Sequence, residues 1–211
     1  MPARRGGRLR QGNGAPGRGP ADKTMKWFPL RKSTGESLAV SMAGIKLGDR
    51  LLVVGCSDPI LIARLAVKTG LTGRAFACDE RDALVATAAE VATREGALIE
   101  TATASWTALP LERDGFDVVI LRDVLPFLAP ERRDGCVAEI RRVLRPGGRC
   151  LVVEGGGRTG VAALVSGASA PRDYTAHGGA VPVFTGQGFK AARTHAEREG
   201  LAFAEAVKPN S

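Results

Sequence analysis

The chain predicts an α/β fold built on a doubly wound, mainly parallel sheet. Three observations carry that prediction. Phe116 to Leu121 is an apolar run entered from Asp114-Gly115; a helical segment follows; Arg145-Pro146-Gly147-Gly148 then precedes a second apolar run, Cys150 to Val153. That order is one strand–helix–strand unit with a glycine stop. Upstream, shorter apolar runs at 51–54 and 74–78 alternate with segments of helical length and composition, the signature of parallel strands joined by crossover helices. Finally, Asp79 closes the second run 24 positions after Gly55 closes the first. An acidic group at about that distance suits a ligand bound across the carboxyl ends of the strands.

The elements follow in order. Gly35 to Gly44 reads as a short helix ahead of the first strand, Leu51 to Val54. Asp58-Pro59 is a helix start, with Asp as N-cap and Pro at the first helical position. The helix continues over Ile60 to Thr69 and stops at Gly70 and Gly73. The second strand is Arg74 to Cys78, ending at Asp79. The second crossover helix runs from about Arg81 to Glu95 and stops at Gly96. Strand three is Leu98 to Thr103, and a loop with Trp106 and Leu109-Pro110 leads into strand four. Pro130 starts a helix to Leu144, and strand five is Arg149 to Glu154. Arg141, Arg142 and Arg145 on that stretch read as a solvated face. Beyond it, Val161 to Val165 reads as a short helix. Ala170 to Gly188, with Pro171, Pro182 and four glycines, reads as a loop-rich lid. Phe189 to Val207 reads as a hairpin turning near Glu199-Gly200, with His195 a structural residue within it.

The composition bounds the class. A chain of 211 residues suits one α/β domain. No apolar run approaches the roughly 20 residues of a membrane span, so the expectation is a cytoplasmic protein. Cys56, Cys78, Cys136 and Cys150 are scattered, with no C-x-x-C pair, and there are two histidines. Zinc is improbable on that inventory, and buried thiols are expected at Cys78 and Cys150. The net charge of +8 resides in the first 32 residues, which hold nine basic groups and one acidic group. The expected division is a disordered basic tail at 1–24, a helical lead-in at 25–48 and a domain at 49–211. Nucleic acid is a partner for the tail only, because the neutral remainder offers no concentrated positive face. A non-functional extension, with Met25 as the start, is a second reading of the tail, and a transit peptide, without the usual Ser-rich amphipathic pattern, is a third.

The order of these signals resembles the class I S-adenosylmethionine-dependent methyltransferases, with a methyltransferase-11-like domain. FDVVI, a helix and then RRVLRPGGRCLVVEG carry the resemblance most specifically, and it extends from about Gly35 to Val207. It implies a seven-stranded Rossmann-like sheet with an antiparallel last strand. It also implies S-adenosyl-L-methionine as cofactor and a small-molecule methyl acceptor.

By the same resemblance, Gly55, Cys56 and Ser57 form the cofactor loop and Asp79 receives the ribose hydroxyls. Asp79 as a simple cap for the following helix is the alternative. Ser105 faces the adenine, and Trp106 either stacks on it or covers the core beside Leu109. Arg122 meets the cofactor carboxylate or offsets Asp58. Asp123, where the methyl group would point, orients or deprotonates the acceptor, or else caps the turn before Val124. Tyr174 and His177 line the acceptor pocket or are exposed loop residues.

Two stretches depart from the family pattern. Leu52-Val53-Val54-Gly55-Cys56-Ser57-Asp58-Pro59 keeps only the first glycine of the usual loop, and Ser105 replaces an acidic residue. The expected function is therefore S-adenosylmethionine-dependent methyl transfer to a small molecule, with a degenerate, non-catalytic binding protein as the alternative. Transfer from a sulfonium rests largely on positioning, worth about 7–11 kcal/mol in favourable cases. A strong catalytic signature is not required, and none is visible.

Overall fold

Strands that are apolar on both faces must be covered on both, and the central strands of this sheet are. The computed structural model describes residues 34–155, 172–198 and 200–210. The tail and the helix expected at Val161–Val165 lie outside them. The strands are β1 (Arg50–Val54), β2 (Arg74–Asp79), β3 (Glu100–Thr103), β4 (Phe116–Arg122), β5 (Leu144–Gly155), β6 (Lys190–Arg198) and β7 (Leu201–Val207). They form one seven-stranded sheet in the order β3-β2-β1-β4-β5-β7-β6. β1 to β5 are parallel, and β7 is antiparallel to both β5 and β6.

The helices are α1 (Thr34–Ala43), α2 (Pro59–Thr69), α3 (Asp82–Arg94), α4 (Pro130–Val143), α5 (Arg172–Ala176) and α6 (Ala180–Gly186). Period-two alternation sorts the strand residues onto two faces. Leu51 and Val53 of β1 pack with α1, α2 and α3 in one buried cluster. Leu52 and Val54 pack with α4 and α6 in the other. Cys78 and Cys150 are buried in the strands, and all four cysteines are free thiols. No helix among the described residues is long and apolar enough to cross a membrane.

Three expectations are corrected. First, Arg-Pro-Gly-Gly does not separate helix from strand; it lies inside β5, which begins at Leu144. Phe116 pairs with Leu144 and Val118 with Arg149, so residues 145–148 bulge out of the ladder. Gly147 makes the bulge with φ of 72°, and its N–H donates to the Lys208 carbonyl (3.0 Å). A bulge with a left-handed glycine is a known strand irregularity, and glycine-proline content alone does not distinguish it from a turn.

Second, the described part of the proposed lid is helical. Ala180 and Phe184 of α6 are buried, and the Phe184 ring meets that of Phe189 edge-on at 4.9 Å. Pro182 is tolerated because it falls in the first turn. Third, Arg142 is not solvated. Its guanidinium donates to Glu139 (2.8 Å) and to the carbonyls of Leu109 (3.0 Å) and Leu111 (2.7 Å), clamping the β3–β4 loop to α4. Arg145 pairs with Asp117.

Candidate functional site

The strand order reverses between β1 and β4, so their carboxyl ends open the crevice where ligands bind in such sheets. Gly55 sits at the tip of β1 with φ of 94°. Its N–H donates to the Cys78 carbonyl (2.8 Å). A Cβ there would lie 2.2 Å from the Arg122 carbonyl oxygen, so glycine is what lets β1 and β4 close together. The Cys56 N–H then donates to Asp79 Oδ2 (2.8 Å), tying the first loop to the tip of β2. Burial pushes the Cys56 thiol up to about 12, with the Asp79 charge adding to it, so no thiolate forms near neutrality.

Asp58 caps α2 by accepting the Leu61 N–H (3.0 Å), and Pro59 occupies the first turn. The departure from the glycine-rich pattern is thus absorbed by ordinary capping chemistry. The α2 N-terminus still faces the crevice, where its N–H groups and dipole favour an anion.

Asp79 is fully buried. Oδ1 accepts the N–H and Nε–H of Arg81 (3.0 and 2.9 Å), and Oδ2 accepts the Cys56 N–H and Arg81 Nη2 (3.1 Å). A carboxylate offers about four lone-pair positions, and four donors meet this one. Burial raises the Asp79 pKa, but the Arg81 and Cys56 hydrogen bonds outweigh it and hold the carboxyl below its usual range. The Arg81 side chain is 56% exposed, so this half of the arrangement is open to exchange with a ligand.

Glu80 fastens the adjoining loop. It accepts Ser105 Oγ (3.2 Å) and the Trp106 N–H (3.2 Å), and pairs with Arg132 of α4. Ser105 is exposed at the crevice rim. The Trp106 ring is buried in the core with Leu109, and its Nε1 has no hydrogen-bond partner.

At the β4 tip, Asp123 takes a left-handed φ of 52°. Its Oδ1 accepts the Gly155 N–H (2.7 Å); its Oδ2 meets Arg122 Nη1 (2.6 Å) and Ser57 Oγ (3.4 Å). Asp123 thus ties together the tips of β1, β4 and β5. The Arg122 Nε lies 3.7 Å from Asp58 Oδ2; it is buried and has no hydrogen-bond partner.

A cavity of about 440 Å³ opens beside the β5 tip, against the β6–β7 hairpin. Tyr174 of α5 lines it and is buried; His177 is exposed and does not line it. His177 Nδ1 lies 2.6 Å from the Asp173 carbonyl of its own helix. His195 pairs with Glu205 across β6–β7. No cluster of metal-binding groups occurs among the described residues.

The sequence does not announce Glu154 or Arg81 as site residues, nor the loop contacts of Glu80, which stands where an apolar residue often covers the adenine in the family it resembles. Glu154 accepts the Tyr174 hydroxyl (2.8 Å) inside the cavity wall. Burial pushes its carboxyl up to about 7, with the Asp123 charge in the same direction. The signal was present: an acidic residue closes an apolar strand at Glu154 just as one does at Asp79.

A carboxyl raised in the fold weakens folding as pH climbs from its unfolded value, near 4.5, to about 7. Glu154→Gln keeps an acceptor for Tyr174 and removes the charge. Its thermal stability is expected to match the parent at pH 5 and exceed it at pH 8, by up to about 3 kcal/mol. Equal differences at the two pH values in calorimetry would show that the raised value is wrong.

The comparisons with known proteins agree with this geometry. Residues 52–152 match the model of the methyltransferase domain family. Residues 52–152 thus carry a methyltransferase domain, on a fold like that of the class I S-adenosylmethionine-dependent methyltransferases. Among curated proteins it is similar to the ubiquinone/menaquinone biosynthesis C-methyltransferase UbiE of Teredinibacter turnerae, 27% identical over 121 residues, covering 56% of this chain and 48% of that protein. The UbiE of Bordetella parapertussis (strain 12822) is 26% identical over 119 residues, covering 56% of this chain and 45% of that one. The chain spans about half the length of the curated relatives it matches.

Among solved structures, a SAM-dependent methyltransferase from Aquifex aeolicus superposes with a TM-score of 0.68 at 16% identity, over 82% of this chain and 89% of that one. The [4+2]-cyclase SpnF superposes with a TM-score of 0.65 at 18% identity, over 85% and 82%. These two show the fold; a cyclase on the same scaffold makes clear that fold alone does not name a reaction.

Proposed function

We propose that the chain binds S-adenosyl-L-methionine across the β1–β4 crevice and transfers its methyl group to a small-molecule acceptor. The observation that carries the reading is the buried Asp79 carboxylate, fastened to the Cys56 N–H at the mouth of the first loop. Both ends of the site suit the ligand. Asp79 accepts the ribose hydroxyls in place of the exposed Arg81 guanidinium. The orphaned Arg122 Nε, beside the α2 N-terminus, meets the amino-acid carboxylate. Cys56 and Ser57 supply loop backbone, and Ser105 lies on the adenine side. Asp58 opposes the carboxylate and weakens that end.

When bound, S-adenosylmethionine supplies an electrophilic methyl carbon on a sulfonium. The protein's part is to hold the acceptor in line and to exclude water. Asp123 acts by fixing the β4 and β5 tips in this reading, since its carboxylate already holds three groups. The name of the curated relatives makes carbon a candidate acceptor atom alongside oxygen.

Titration calorimetry with S-adenosylmethionine tests the reading, and a measurable heat is expected. Arg81→Ala is expected to bind about 3- to 5-fold more tightly, because an exposed ion pair worth up to about 1 kcal/mol no longer competes for Asp79. Absence of heat and of any thermal shift, in both proteins, would sink the enzyme reading. It would favour the binding-only alternative, for which the lost loop glycines and the saturated Asp79 speak.

A further inference from the structure

We propose that Glu154, seated by Tyr174 in the wall of the cavity beside β5 and β7, takes the proton of a small hydroxyl-bearing methyl acceptor. The inference rests on the methyltransferase reading and deepens it on the acceptor side.

The geometry carries it. Among the described residues, Asp79 and Glu154 are the buried carboxylates. The first is fully engaged by donors at the cofactor end. The second lies at the tip of β5 and forms part of the cavity wall, opposite Ala202 of β7. Tyr174 donates to its Oε1 at 2.8 Å. Arg133 of α4 in turn stacks over the Tyr174 ring, 4.7 Å from its centroid, and donates to the Leu125 carbonyl (3.0 Å). The pair is therefore held from behind, while its cavity side stays available. Asp123, by contrast, spends its oxygens on Gly155, Arg122 and Ser57.

The cavity, at about 440 Å³, falls in the range that holds small organic ligands. Ala180, Ala202 and Ala204 give it an apolar side, and Thr194 a polar one. It adjoins the crevice, because the residue after Glu154 is Gly155, whose N–H is held by Asp123 at the β4 tip. An acceptor in the cavity thus lies beside the strand tips where a methyl donor would be held.

The charged and titratable groups around Glu154 are Tyr174, Asp123, Arg122 and Arg133, with Glu197 and Arg198 on the cavity's hairpin side. Burial dominates among them and leaves the carboxyl titrating near neutrality, the range in which a general base works best. In the step, the acceptor O–H bond breaks and its proton goes to the Glu154 carboxylate. The electron pair stays on the acceptor oxygen, or on a carbon conjugated to it, ready for the methyl carbon. Glu154 then releases the proton to solvent.

The test uses phenol as probe on the full chain without cofactor, by titration calorimetry at pH 6 and pH 8. Phenol stays neutral at both, since a phenol ionises near pH 10. Ionised Glu154 accepts its hydrogen bond better than the protonated acid. The parent is expected to bind phenol up to about tenfold more tightly at pH 8, as the carboxyl passes through its titration near 7. Glu154→Gln is expected to show a flat profile at the weaker level.

Tyr174→Phe is expected to keep the rise but to move its midpoint to higher pH, because the lost hydrogen bond favours the ionised acid. A merely structural Tyr174 would not move the midpoint. Should Glu154→Gln fail to fold, the Tyr174→Phe midpoint decides alone. A flat parent profile, no phenol binding, or the same rise in a folded Glu154→Gln would overturn the proposal. Because no cofactor is present, this outcome reads independently of the S-adenosylmethionine titration.

Discussion

Gly55→Ala is expected to lower stability by about 3–5 kcal/mol and to abolish S-adenosylmethionine binding in whatever fraction remains folded. The substitution meets two obstacles at once. The backbone φ of 94° is one that a side chain rarely adopts. The new Cβ would also stand 2.2 Å from the Arg122 carbonyl oxygen and 2.9 Å from Val124 Cγ2. The first atom belongs to backbone at the β4 tip and cannot swing aside. Relief requires β1 and β4 to separate where the cofactor would be held. Gly96→Ala isolates the backbone component: φ there is 70°, and nothing lies within 4 Å of the added carbon. It is expected to cost about 1 kcal/mol. Calorimetric melting should therefore show a drop of about 10 °C or more for Gly55→Ala and a few degrees for Gly96→Ala. Similar drops for the two would mean that the close approach of β1 and β4 has been misread.

Asp79→Asn is expected to cost about 2–3 kcal/mol of stability and to weaken S-adenosylmethionine binding at least 100-fold. The four groups facing Asp79 are all donors, from Cys56 and Arg81. An asparagine offers one oxygen and one NH₂, so its amide must direct N–H groups at N–H groups on one side. Two effects then add at the ligand: the ribose hydroxyls lose a charged acceptor, and the first loop loses its tie to β2. The pH dependence gives a second readout. A carboxyl held low in the fold contributes stability that is present above its unfolded value and lost as pH falls through its folded one. The parent should lose stability below about pH 4, and Asp79→Asn should lose less over that interval. An unchanged acid limb would place the linkage elsewhere. The other carboxyls held low, Glu100, Asp117, Glu139 and Glu205, lie on structural pairs with Arg74, Arg145, Arg142 and His195.

Much of the scaffold is legible in the sequence alone. β1, β2, β4 and β5 are apolar on both faces, and such runs have few alternatives to a covered parallel strand. Asp58-Pro59 announced the α2 start, and Gly200 the hairpin. The distance from Gly55 singles out Asp79 as a candidate, and the structure buries it at the tip of β2. The misread segments share a cause. Arg145-Pro146-Gly147-Gly148 and 172–186 are rich in the residues that mark turns, yet each gains its conformation from a distant partner. Lys208 pairs with the β5 bulge, and the core beneath α6 receives Phe184. Propensity speaks only of neighbours along the chain, so tertiary pairing overrode it.

The sequence by itself determined the sheet, its crossover helices and the strand-tip edge proposed to receive a ligand, because periodic burial and chain punctuation are local and cumulative. Only the tertiary structure decided which groups at that edge are occupied and which are available. Arg81 lies two residues from Asp79 and Tyr174 lies 20 from Glu154, but neither pairing follows from spacing. Side-chain partners depend on strand register and on how α5 folds back over the sheet. Burial, which sets the charge of Glu154, likewise belongs to the assembled fold and not to any stretch of chain.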